Sequence, residues 1–84
     1  MASKVILLSS AEDDFAKLPQ SGRVRIAAAL RELSDFPLSR AGVKKLKPPF
    51  EGFRKRVGEY RILFDWDGKI IFVHRIKNRK DAYR

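Results

Sequence analysis

The chain has 84 residues, a net charge of +9 at pH 7, no cysteine and one histidine. A chain this short supports one small core, so residues 1–84 are read as a single domain; the missing cysteines exclude a disulfide framework and a thiolate metal site, and a lone histidine cannot supply a zinc cluster, so neither metal nor cofactor is expected. The apolar run Val5-Ile6-Leu7-Leu8 is far shorter than a secretion signal or the roughly 20 residues of a membrane span, which makes a cytoplasmic protein without a membrane partner the expectation.

Charge is distributed unevenly. Residues 1–39 carry five basic and five acidic side chains, whereas residues 40–84 carry fourteen basic and five acidic, so the whole excess sits in the second half. A basic region of this kind concentrates phosphate-bearing ligands and binds them in a salt-dependent way.

In chain order, Lys4 to Leu8 is β-branched and apolar and predicts a first strand over 3–8. Ser9-Ser10 before Ala11-Glu12-Asp13-Asp14 places a hydroxyl cap, Ser10, ahead of three acids that suit a helix N-terminus, and predicts a helix over about 10–18 that Pro19 ends. Phe15 and Leu18 give it a buried side. A second helix over about 21–35 presents Val24, Ile26, Ala27, Ala28, Leu30 and Leu33 at helical spacing and stops near Asp35-Phe36-Pro37. Residues 37–52, with Pro37, Gly42, Pro48, Pro49 and Gly52, read as a connecting loop anchored by Leu46, from which Lys44, Lys45 and Lys47 project.

Strands are then expected near 52–57, 60–66 and 69–76. Val57-Gly58-Glu59-Tyr60 suits a two-residue II′ hairpin, and Trp66-Asp67-Gly68-Lys69 carries the Asp-Gly signature of a I′ turn. These turns set a register in which Val57 faces Tyr60, Arg56 faces Arg61, Lys55 faces Ile62, Phe64 faces Ile71 and Arg61 faces His74. Alternation then turns Phe53, Val57, Tyr60, Ile62, Phe64, Trp66, Ile71 and Val73, with Lys55, toward the helices. Arg54, Arg56, Arg61, Leu63, Asp65, Ile70, Phe72 and His74 share the other face, where Arg56, Arg61 and His74 form a row. Directly opposed like charges destabilise a sheet, so this row suits a site that receives an anion; the structural alternative is that the guanidinium groups splay into water or pair with Asp65 or Glu59.

At these residues a resemblance enters. The run Phe53-Arg54-Lys55-Arg56-Val57-Gly58-Glu59-Tyr60-Arg61-Ile62, followed by an apolar strand, His74-Arg75-Ile76, Arg79 and Tyr83, resembles the RelE branch of the RelE/ParE toxin superfamily. The resemblance covers the whole chain and implies an α+β fold in which an N-terminal strand and a two-helix hairpin pack on a mainly antiparallel sheet. It also implies the toxin of a type II toxin–antitoxin pair, a ribosome-dependent mRNA endonuclease that cuts in the A site without metal. There the ribose 2′-OH attacks the adjacent phosphate, leaving a 2′,3′-cyclic phosphate and a 5′-OH. Position by position, Arg54, Arg56, Arg61, Arg79 and Tyr83 match the residues lining the family's site, with Lys44, Lys45, Lys47, Lys77 and Lys80 expected to contact RNA or ribosome.

Guanidinium groups suit a phosphate because they donate two parallel hydrogen bonds. Some members of the family have lysines at the positions of Arg54 and Arg56, and arginine does not give up its proton, so the general base is left among Tyr83, His74, Lys55 and Lys47. His74 has the best intrinsic pKa and Tyr83 the best family match. The partners implied are an acidic RelB-like antitoxin, forming a hetero-oligomer, and the ribosome with its message. A ParE-like gyrase poison and a non-catalytic RNA-binding module are the competing readings.

Overall fold

The computed structural model describes residues 3–49 and 51–78; Arg79, Lys80 and Tyr83 lie outside the described residues. Seven elements follow in chain order: β1 (Lys4–Leu7), α1 (Ser9–Ala16), α2 (Gln20–Leu33), β2 (Val43–Lys45), β3 (Phe53–Val57), β4 (Tyr60–Trp66) and β5 (Ile70–Asn78). The strands form one sheet in the order β1-β5-β4-β3-β2. Every neighbouring pair is antiparallel except β1 with β5. This is the expected α+β class, and the helical hairpin covers one face of the sheet.

The core is aliphatic at its centre and aromatic at one end. Ile26, Ala29 and Leu33 of α2 and Ala11 of α1 are buried with Ile62, Phe64, Ile71, Val73 and Ile76 of the sheet. Each such large aliphatic chain contributes roughly 1.5–3 kcal/mol when fully buried. Phe36, just past α2, is fully buried and meets Phe53, Phe64 and Trp66 edge-on at 5.4, 5.5 and 5.1 Å between ring centroids. This aromatic nest closes the bottom of the sheet where the chain leaves the helices.

Several expectations are corrected. Ser10 lies inside α1 and caps nothing; Leu8 occupies the N-cap position without a side-chain bond, because the helix starts one residue earlier, directly off β1. In α2 the core stripe is Gly22, Ile26, Ala29 and Leu33, while Val24 is 63 % exposed and Ala28 is also exposed; both fall on the opposite side of the helix. Leu46 is only half-buried and stands outside the core cluster, and Phe36 and Val43 anchor the connection instead. That connection also contains β2, a three-residue strand where the sequence leads one to expect a loop.

The two hairpins differ in how closely they follow their turn signals. In the first, Gly58 has φ +58° and the pairs Val57↔Tyr60, Arg56↔Arg61, Lys55↔Ile62 and Arg54↔Leu63 form as expected. In the second, a I′ turn would need positive φ at both central residues, yet no non-glycine residue among those described has positive φ. Asp67 uses its Oδ1 to accept the backbone N–H groups of Lys69 (2.9 Å) and Ile70 (2.7 Å), and the connection widens to put Trp66 opposite Ile71. A bulge then lies between Leu63 and Phe64, opposite His74, after which Leu63 faces Arg75 and Arg61 faces Lys77. The expected Arg61↔His74 pair therefore does not form.

Candidate phosphate-binding site

The sheet face away from the helices carries the candidate site. Alternation along β3 and β4 places Arg54 and Arg56 beside Leu63 and Arg61, and β2 adds Lys44 opposite Arg54. Across the strands this gives two rows of cations: Lys44 with Arg54, and Arg56 with Arg61 and Lys77. Gly42, Val43, Lys44, Arg54, Arg56 and Arg61 line a shallow concavity of about 230 Å³. Its size suits a phosphate with part of a nucleotide rather than a large folded ligand.

Gly42 allows the β2 wall to come this close. Its φ is +73°, its carbonyl accepts the Arg56 N–H at 2.9 Å, and a Cβ added there would stand 3.0 Å from the Arg56 carbonyl oxygen. A side chain would thus meet both a disfavoured backbone conformation and a backbone wall.

Three carboxylates have their partners outside this cluster. Asp14, at the end of α1, accepts Arg75 Nε at 2.8 Å, Arg75 Nη2 at 3.2 Å and the Ile76 N–H at 3.0 Å. Burial works against ionised Asp14, but the hydrogen bonds from Arg75 and Ile76 and the positive charges of Arg75 and Lys77 outweigh it, holding the carboxyl below its usual range. The same pair raises Arg75. Asp65 meets His74, Oδ2 to Nε2, at 2.5 Å with both side chains about half exposed. Glu32 is taken by Lys55 on the helix-facing side.

His74 is consequently displaced from the arginine cluster. Its partner Asp65 stands four residues along β4 from Arg61, roughly 13 Å at the rise of an extended strand. The structure brings together Arg54, Arg56, Arg61, Lys44 and Lys77. It does not bring in His74, nor Lys45 and Lys47: Lys45 lines a separate surface depression with Leu46, Pro48, Glu51 and Gly52, and Lys47 is exposed in the loop. Lys55 points into the helix side, as its register required. Gly42 and Val43 also line the site, and the signal the sequence offers for them is a β-branched residue directly after a glycine and before two lysines. Among the described residues no group of His, Cys, Asp and Glu side chains is arranged to hold a metal ion, and no helix is long and apolar enough to cross a membrane.

Comparisons with known proteins converge. Residues 5–83 match the family model of the ParE toxin of the type II toxin–antitoxin system parDE. The chain is 29 % identical over 75 residues to the RelE1 protein of Methanocaldococcus jannaschii, covering 84 % of this chain and 83 % of that one. Among solved structures, the RelB–RelE antitoxin–toxin complex from Methanococcus jannaschii superposes with a TM-score of 0.77 at 28 % identity, covering 93 % of this chain and 94 % of that chain. The toxin–antitoxin complex RelBE2 from Mycobacterium tuberculosis gives a TM-score of 0.67 at 30 % identity, covering 94 % and 100 %.

Proposed function

Because the chain belongs to the ParE toxin family of type II toxin–antitoxin systems, in the RelE branch of the RelE/ParE superfamily, we propose that it is a ribosome-dependent mRNA endonuclease acting in the A site. The observation that carries this reading is the concavity lined by Lys44, Arg54, Arg56 and Arg61. Cleavage by a ribose 2′-OH builds negative charge on the scissile phosphate, and donors already fixed around that position stabilise the transition state without reorganising. A sheet supplies that rigidity. Arg61, flanked by Arg56 and Lys77, is the central donor, with Arg54 and Arg56 as its neighbours; Arg79, outside the described residues, is the further donor that the family resemblance implies.

Proton transfer falls to Tyr83 rather than His74. The place of His74 beside Asp65, away from the arginine row, supports this assignment. So small a domain positions few of the groups the reaction needs, and ribosomal RNA supplies the remaining geometry. An acidic antitoxin related to RelB is the partner that would neutralise the basic face and hold the toxin inactive; the two solved relatives are a RelB–RelE antitoxin–toxin complex and the toxin–antitoxin complex RelBE2.

Primer extension on message carried by translating ribosomes tests the proposal. Cuts within codons on ribosomes, with purified transcript left intact, are expected. Intact message together with inhibited gyrase supercoiling would favour a ParE-like toxin instead, a reading that the matched family model keeps in play.

A further inference from the structure

Lys55 is a charged group in the core that the proposed site does not use. It stands at the inward-facing position opposite Ile62 and Val43 and is 4 % exposed. Burying an ammonium costs several kcal/mol unless it is paired and hydrogen-bonded, and an apolar side chain would fill the same space without that cost. Its two partners explain it. Nζ donates to the Ala41 carbonyl at 2.6 Å and meets a Glu32 carboxylate oxygen at 3.0 Å.

Ala41 immediately precedes the wall of the phosphate concavity formed by Gly42, Val43 and Lys44. β2 is a three-residue strand at the sheet's edge, and a strand that short has little stability of its own. Its hold on β3 therefore draws on what binds its two ends: at the start the Gly42 carbonyl accepts the Arg56 N–H and the Ala41 carbonyl accepts Lys55, and at the far end the Leu46 N–H donates to the Gly52 carbonyl. We infer that Lys55 is a positioning residue that, from the helix side of the sheet, fixes the 41–45 segment so that Lys44 faces Arg54 across the concavity, with Glu32 of α2 as its counter-ion. The functional half of this inference rests on the endonuclease reading of that concavity; the structural half does not.

The test compares Lys55→Met with the parent protein in two measurements. In hydrogen exchange, Lys55→Met is expected to speed the amides of Lys44 and Leu46, the two that face β3 in this segment, by at least about tenfold, the scale of one lost charge-assisted hydrogen bond, while the central amides of β4 and β5 keep their protection. In ribosome-dependent cleavage, the half-saturating ribosome concentration is expected to rise about tenfold with little change in the rate at saturation. A loss of folded protein would do the reverse, lowering the saturating rate and leaving half-saturation in place. Should Lys55→Met fail to fold, Glu32→Gln removes only the ion pair and is expected to give the same local exchange pattern at a few-fold size. Unchanged exchange at Lys44 and Leu46 in whichever variant folds overturns the inference. If the parent protein cuts no message, the endonuclease reading fails, and the exchange result still decides the role of Lys55.

Discussion

Charge is handled in opposite ways at the two ends of β4 and β5. Near the second hairpin and α1, opposite charges meet: His74 with Asp65, and Arg75 with Asp14. Near the first hairpin, like charges stand opposite each other across the strands, with Arg56 opposite Arg61 and Arg61 opposite Lys77. Paired charges serve the fold, and their removal should show in stability. Like-charged neighbours cost the sheet some stability, and under the proposed function they meet a ligand of opposite sign, so their removal is expected to show in activity. A side chain's charge says little until the neighbour it meets in the fold, on the next strand or on a helix, is known.

The largest expected effect breaks the like-charged end. Arg61→Ala should lower single-turnover cleavage on saturating ribosomes by roughly a hundredfold to a thousandfold, with the protein still folded and still bound by antitoxin; cleavage near the parental rate would remove Arg61 from the site. Next comes the paired end. Asp14→Asn removes the negative charge and one of the two oxygens that accept the three hydrogen bonds from Arg75 and Ile76 and should cost on the order of 1.5–3 kcal/mol in denaturant unfolding, while affinity for a short RNA stays within about twofold, since Arg75 lies outside the concavity.

The pH dependence follows from the same residue. The carboxyl of Asp14 is held low in the folded protein, so its contribution is fully present above the unfolded value of about 3.9 and is lost as pH falls through the folded one. Thermal melting of the parent should therefore drop more steeply below about pH 4 than that of Asp14→Asn; parallel curves would contradict the assignment. Asp67, held low by the Ile70 and Lys69 N–H groups, is present in both proteins and cancels in the comparison.

Smaller effects sharpen the boundary between the two ends. His74→Gln should leave the saturating cleavage rate within about tenfold of the parent and change stability by about 0–1 kcal/mol, the range of half-exposed ion pairs; abolished cleavage would make His74 the base in place of Tyr83. Lys44→Ala should weaken RNA binding and reduce the slope of log affinity against log salt by about one, and a slope unaltered by the substitution would place Lys44 outside the phosphate contacts.

The part of this arrangement that was legible beforehand traces to local rules. Gly58 alone sets a two-residue turn, and that turn fixed the Arg56↔Arg61 pair and the inward course of Lys55. The second register was not legible, because Asp67 bonds forward to Lys69 and Ile70 rather than taking positive φ, and because the bulge at His74 has no signature in composition or alternation. The same hidden shift moved His74 out of the arginine row and brought Lys77 in. β2 escaped notice for a related reason: a three-residue strand is defined by what it pairs with, here β3, and by the Lys55 contact beneath it. The Asp14–Arg75 clasp joins residues 61 positions apart, a separation at which sequence spacing carries no information.

The most direct test of the central claim sets one variant from each end side by side in the ribosomal cleavage assay, with folding followed in parallel. Arg61→Ala is expected to be stable and inactive, and Asp14→Asn less stable but, at a temperature where it is folded, as active as the parent. An active Arg61→Ala beside a folded but inactive Asp14→Asn would contradict the claim that the like-charged end is the phosphate site.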